Sequence, residues 1–401
     1  MSSDEIQGTP ASMVKASYWY PDGETPESIT SAENIPSALF THLFCAYADL
    51  AADTYRVYIS RKHDYMFSTF TDTVKIGNKQ VKTLLSIGGR NANNSAFASM
   101  ASRQHFREMF IDSWIRIARS YGFHGLDLAW EYPNSDAEMN DFGDLVRDLR
   151  DAVDAEHSLT NRPILLLTAA VYYSPVYKKF TYPVKVMKDS LDWVNITAYD
   201  FCGPSSTLGL PACLYNPWDK DIKFISYYKY LVIKHNLIIS YDPYMCIFWS
   251  NSNKIWLTDP CGDSGLKQWI EAGLPERKTV FGFSYHGWSW SWNSEDDKDH
   301  GNDPAAITRG QVAVTPNGSV SYSKIKEFIK DYGATTEHDK EVVEDNCFSK
   351  ETLIRYDDTQ SVVTKVRYIK SNDLLGYFAW NVGADDNTLL STAASQAWDA
   401  S

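Results

Sequence analysis

Eight short runs of β-branched or apolar residues recur along the chain, separated by amphipathic stretches: Met13–Trp19, Leu39–Tyr47, Val81–Ile87, Phe123–Leu128, Ile164–Val171, Leu191–Tyr199, Thr279–Tyr285 and Leu374–Trp380. Runs of this length and composition read as strands. Between the third and fourth, Phe106, Phe110, Trp114 and Ile117 fall at helical spacing, with Ser102 as the N-cap and Gly122 closing the helix. After the fourth, Met139, Phe142, Leu145, Leu149 and Val153 mark another amphipathic helix. At 401 residues and 44% hydrophobic content the chain can form one large barrel or two average domains, and composition alone does not choose. Eightfold strand-helix alternation does: it predicts an α/β fold, a closed (β/α)8 TIM barrel, with its site where strands end and βα loops begin.

Two segments break the alternation. From Val312 to Tyr322 the chain reads as a hairpin with a Pro-Asn-Gly turn, followed by a helix from Ser323. Residues 289–358 are therefore expected to form a small α+β insertion domain between strands seven and eight, walling one side of the cleft, with 1–288 and 359–401 forming the barrel. The other interruption is the long Ser205–Gly262 connection, which reads as a functional lid, a disordered segment or a poorly integrated insertion.

A net charge of −13 and the lack of any Lys/Arg run argue against nucleic acid or an anionic membrane as partner. No stretch reaches the roughly 18 uninterrupted apolar residues of a membrane span. A neutral ligand fits better. The 13 Trp and 25 Tyr exceed what a core needs, and such rings serve as stacking platforms in sugar clefts, although core packing accounts for most of them. The six cysteines show no CxxC pair and no zinc-like spacing with His, so neither metal nor cofactor is expected. Cys45, inside an apolar run, reads as a buried free thiol; Cys213 and Cys261 lie in loops where a bridge stays open. The acidic run Glu295–Asp303 lacks the ligand pattern of a calcium loop and reads as solvated. Residues 1–8 have neither a basic start nor an apolar run, so no secretory signal is read there.

At the end of the fourth strand stands Phe123-His-Gly-Leu-Asp-Leu-Ala-Trp-Glu-Tyr-Pro133. Residues two apart on a strand share a face, so Asp127, Ala129 and Glu131 point into the barrel mouth. Acids placed there favour catalysis over structure, because burying a carboxyl is otherwise costly. Glu131 is the stronger candidate; Asp127 reads either as a second functional acid or as the group that orients it.

This segment resembles the fourth-strand pattern DxxDxDxE of the glycoside hydrolase family 18 chitinases, in their plant class V branch. The resemblance covers nearly the whole chain. It continues through Ser17-Tyr-Trp19, Thr41–Asp49, Ser86-Ile-Gly-Gly89, Leu166–Ala170, Asn195–Phe201, Tyr356–Gln360 and Gly376–Trp380. It implies a substrate groove for chitin or chitooligosaccharides, no nucleic acid or membrane partner, a monomer, and an extracellular or vacuolar location, with the cytoplasm left open by the missing leader. Gly88-Gly89 is not followed by the Lys-Ser/Thr of a phosphate loop, so close backbone packing is the better reading of the pair.

The family mechanism uses the substrate's own 2-acetamido oxygen as nucleophile, so no protein nucleophile is needed. The resemblance makes Glu131 the general acid, Asp127 the partner of an assisting Asp, and Tyr199 the phenol on the acetamido oxygen. It makes Trp380 the indole floor and Asp200 a polar contact beside it, with Tyr18, Phe44 and Trp290 as further groove aromatics. Trp288, Trp290 and Trp292 alternate with Ser, which places three indoles on one strand face.

The chain departs from the pattern at Ala129, which stands where the assisting Asp belongs. A methyl group accepts no hydrogen bond and carries no charge. Losing one preorganised electrostatic group costs ~3–4 kcal/mol, or ~10²–10³ in rate. His124 at the first pattern position matters less, being furthest from the sugar. His286 replaces an aromatic of the branch and reads as a packing residue. Three functions follow: a slow substrate-assisted chitinase, a non-catalytic chitooligosaccharide-binding lectin, or a pocket recruited for another small molecule.

Overall fold

A computed structural model describes residues 13–23, 30–201, 210–216, 260–291, 318–349 and 352–400. Most of the Ser205–Gly262 connection, the 295–303 acidic run, Trp292, Cys202, Cys246 and the first arm of the expected 312–322 hairpin lie outside the described residues.

Seven strands are followed in order around a barrel: β1 (Val14–Trp19), β2 (His42–Leu50), β3 (Lys82–Gly88), β4 (Gly125–Ala129), β5 (Leu166–Tyr172), β6 (Trp193–Thr197) and β7 (Thr279–Ser284). Each pairs in parallel with the next, and a last strand, Gly376–Trp380, pairs with both β7 and β1, closing the sheet. The barrel is the (β/α)8 architecture expected from the alternation.

Period two sorts the strand residues into two cores. Val14, Ala16, Tyr18, Phe44, Leu84, Val280 and Phe378 fill the interior. Leu43, Cys45, Leu85, Ile87, Leu126 and Leu128 face outward against the helices. Cys45 is a buried free thiol of that outer layer, as read from its run. Cys213 and Cys261 are buried together with Val342.

The helices between strands are α1 (Asp64–Gly77), α2 (Asn94–Ala101), α3 (Gln104–Ser120), α4 (Asp136–Thr160), α5 (Val184–Ser190) and α6 (Gly262–Glu271). In α4, Met139, Phe142, Leu145, Leu149 and Val153 are all buried. Ser102 does not cap α3, whose N-cap is Arg103; it ends the preceding α2, and its hydroxyl donates back to the Ser99 carbonyl at 2.8 Å. Gly122 follows α3 at φ +72°, a conformation that suits glycine.

Directly after β7 the chain enters a second, antiparallel sheet: β8 (His286–Ser291), β9 (Ser319–Ser321), β10 (Thr335–Asp339), β11 (Glu344–Ser349) and β12 (Thr352–Tyr356), in the order β9-β8-β12-β11-β10. Helix α7 (Tyr322–Tyr332) packs on it, and α8 (Thr359–Ser371) returns the chain to the final barrel strand, β13 (Gly376–Trp380). A terminal helix, α9 (Leu389–Asp399), packs against α8. Because β7 ends at the mouth, this sheet starts at the functional end of the barrel.

Candidate active site at the barrel mouth

Asp127 is wholly buried inside the barrel. Parallel register puts Ser86 of β3 and Thr168 of β5 level with it on either side. Ser86 Oγ donates to Asp127 Oδ2 at 2.6 Å and Tyr18 OH to the same oxygen at 2.9 Å. Thr168 Oγ1 donates to Oδ1 at 2.6 Å, and Asn195 Nδ2 lies 3.3 Å from it. Burial pushes the Asp127 carboxyl above its usual range, and these four donors oppose the shift. The carboxylate has its hydrogen-bond complement without any contribution from residue 129.

Ala129 is also fully buried, at the last residue of β4. It is level with Gly88, and Gly89 N–H donates to the Ala129 carbonyl at 2.7 Å. A Cβ on Gly88 would fall 2.1 Å from that carbonyl oxygen, and one on Gly89 would fall 2.4 Å from the Tyr47 ring. The Gly-Gly pair is therefore a close-packing device, as its sequence context suggested. Two residues on, Glu131 is partly exposed, and its carbonyl accepts from Asn94 Nδ2 at 2.7 Å. Its charge, after burial, also raises the pKa of the neighbouring Tyr132 phenol. The peptide bonds Ala46-Tyr47, Glu131-Tyr132 and Trp380-Asn381 are cis, each just beyond or near the mouth end of a barrel strand.

Across the mouth, the Trp380 indole stacks on Tyr47 with centroids 5.7 Å apart, and it also meets Tyr18 at 5.4 Å and Tyr20 at 6.1 Å. Tyr18 in turn stacks on Phe44 at 4.4 Å. Tyr18 and Phe44 are 1% and 0% exposed, so they form the layer behind Trp380, itself 9% exposed. Tyr199 belongs to the same cluster and meets Phe378 and His286 edge-on at 6.1 and 6.2 Å.

Asp200 follows Tyr199 in the left-handed region at φ 58°, which Asp tolerates better than most residues. Its Oδ1 meets His286 Nε2 at 2.9 Å and accepts from Trp288 Nε1 at 2.8 Å; its Oδ2 accepts from Arg90 Nη2 at 2.5 Å. Burial alone would raise its pKa, but His286, Arg90 and Trp288 outweigh this and hold the carboxyl well below its usual range. His286 is thus a polar partner of Asp200, where sequence had suggested a packing role. Trp288 and Trp290 do share a strand, yet both are buried, and the Trp288 N–H is committed to Asp200.

The structure brings Asp127, Ala129, Glu131, Tyr199, Asp200, Tyr18, Phe44 and Trp380 to one end of the barrel, while Trp290 lies further along β8, level with Leu353 of the second sheet. Sequence reasoning assigned no role to Ser86, Thr168 or Arg90. The signal for the first two was a hydroxyl within an apolar strand; Arg90 gave none. Among the described residues, no three His, Cys, Asp or Glu side chains converge as metal ligands, and no helix is long and apolar enough to cross a membrane.

The sequence matches the family model for glycosyl hydrolases family 18 over residues 14–385. It is 48% identical to a class V chitinase of Arabidopsis thaliana over 97% of this chain and 90% of that protein. A mutant class V chitinase from Nicotiana tobaccum, crystallised in complex with NAG4, superposes with a TM-score of 0.81 at 38% identity, covering 97% of this chain and 99% of that one. A chitinase-like agglutinin from Robinia pseudoacacia gives 0.75 at 36% identity, covering 96% and 99%. With its barrel, its strand-end acids and this similarity across its length, the chain belongs to glycosyl hydrolases family 18, beside the plant class V chitinases.

Proposed function

We propose that the barrel mouth binds N-acetylglucosamine oligosaccharides and that glycosidic hydrolysis there is slow or lost. Trp380 supplies the floor for a sugar ring, Tyr199 and Asp200 the polar contacts, and Glu131 the proton for the leaving oxygen. Tyr18 and Phe44 act from behind by fixing Trp380 and Asp127. Trp290 has its place in this reading as an aromatic of the adjoining wall, within an insertion domain spanning 289–358. The observation that carries the reading is the β4 end: Glu131 stands beside a fully buried methyl at Ala129, while Asp127 beneath is already satisfied by four donors. Nothing at position 129 can orient an acetamido group or stabilise the cation formed from it. The tobacco relative's complex with NAG4 supports the ligand class.

A non-catalytic lectin is the second reading, favoured by Ala129 and by the similarity to the Robinia agglutinin. In keeping with the class V resemblance, the reading includes a monomer with an extracellular or vacuolar location. Calorimetric titration with the N-acetylglucosamine tetramer tests the ligand class. Binding that is lost in Trp380→Ala is expected; absence of heat at millimolar sugar with the unaltered protein would leave only a recruited pocket for another molecule.

A further inference from the structure

Arg90 leaves the end of β3 immediately after Gly89, and its guanidinium reaches Asp200 beyond the end of β6, with β4 and β5 lying between those strands in the barrel. The ion pair therefore crosses the mouth instead of joining neighbours. Glu131 follows β4, one of the two strands that the pair spans, and the charges of Glu131 and Arg90 both act on Tyr132, the residue next to Glu131. At the Asp200 end the carboxylate is 12% exposed, whereas the Arg90 side chain is 59% exposed. Asp200 keeps two other partners on its opposite oxygen, His286 and Trp288, both buried and both from β8. Those two fix the carboxylate. The exposed guanidinium is the part that can move.

We propose that Arg90 is a strap across the groove that must release Asp200 Oδ2 before a sugar ring seats beside Glu131, so that Arg90 sets the oligosaccharide affinity. This rests on the sugar-binding reading above. A neutral saccharide has no charge of its own, so competition with an exposed ion pair would make its binding depend on salt, which screens such pairs. Removing the guanidinium frees Oδ2 while His286 and Trp288 still hold the carboxylate in place.

The test is calorimetry of the full chain and of Arg90→Met with the N-acetylglucosamine tetramer, at about 20 and about 300 mM salt. The variant is expected to bind about two- to fivefold tighter at low salt, the range set by an exposed ion pair. Affinity of the unaltered protein is expected to rise with salt, and that of the variant to stay flat. Equal or weaker binding by Arg90→Met, with the unaltered protein binding well, overturns the strap and leaves the sugar reading standing. Absence of binding by both proteins removes the sugar reading and the strap with it.

Discussion

Asp127 is tolerable inside a barrel only because donors from β1, β3, β5 and β6 converge on it. An unpaired buried acceptor costs ~1–3 kcal/mol. Thr168→Val keeps the shape of the side chain and removes the 2.6 Å donor, leaving Oδ1 with Asn195 at 3.3 Å. The variant should lose ~1–3 kcal/mol of unfolding free energy in denaturant titration; an unchanged midpoint would mean that water or Asn195 replaces the hydroxyl. The acids themselves were legible, since alternation along one strand puts Asp127, Ala129 and Glu131 on one face. Their partners were not, because which hydroxyl lies level with Asp127 is decided by register between segments about 40 residues apart, Ser86 on one side and Thr168 on the other. The pairing of Arg90 with Asp200 is longer-ranged still.

The strands were read to within a few residues because their apolar runs are buried on both faces, one side filling the barrel and the other meeting helices. Helix α2 is not legible in the sequence: its Asn-Ser-Ala-Phe-Ala-Ser-Met-Ala run is short and shows little polar contrast, so Ser102 reads as the start of α3. The second sheet is tied to the barrel by a group that sequence does not announce. Lys365 of α8 donates to both oxygens of Asp357 at 2.6 and 2.5 Å and to the Ala212 carbonyl at 2.6 Å. Both side chains are almost fully closed to water, at 1% and 0% exposed. Breaking a buried pair from one side strands the other charge, so Lys365→Met should destabilise the protein by ~3–5 kcal/mol. Thermal unfolding measures it; a loss below about 1 kcal/mol would show that Asp357 accepts a proton instead.

Over the whole molecule, the candidate chemistry gathers at the C-terminal end of the barrel, and two histidines, His42 and His124, lie at the other. His42 opens β2 and His124 precedes β4, and burial followed by neighbouring lysines pushes His124 down to about 4; burial, then Lys82 and His124, does the same to His42. The unfolded chain binds these protons near pH 6.5 and the folded chain only near 4, so the stability they confer is lost as pH falls through that window. Glu344 works in the opposite sense, because burial raises it to about 7 despite Arg355. Comparing the protein with His42→Gln separates these contributions: the acid-side loss between about pH 6.5 and 4 should shrink by ~1–3 kcal/mol in the variant. Identical pH profiles would mean that His42 is protonated in the folded state.

A family 18 site that lacks one carboxylate should regain activity when that carboxylate is restored. This is tested most directly by hydrolysis of a chromogenic chitooligosaccharide by the unaltered protein and by Ala129→Asp side by side, with Glu131→Gln added to the latter as control. Very slow turnover is expected as the sequence stands, with a rise of about a hundredfold or more in Ala129→Asp and loss of that gain with Glu131→Gln. Brisk cleavage by the unaltered protein, or a folded, sugar-binding Ala129→Asp that stays inert, would contradict this expectation.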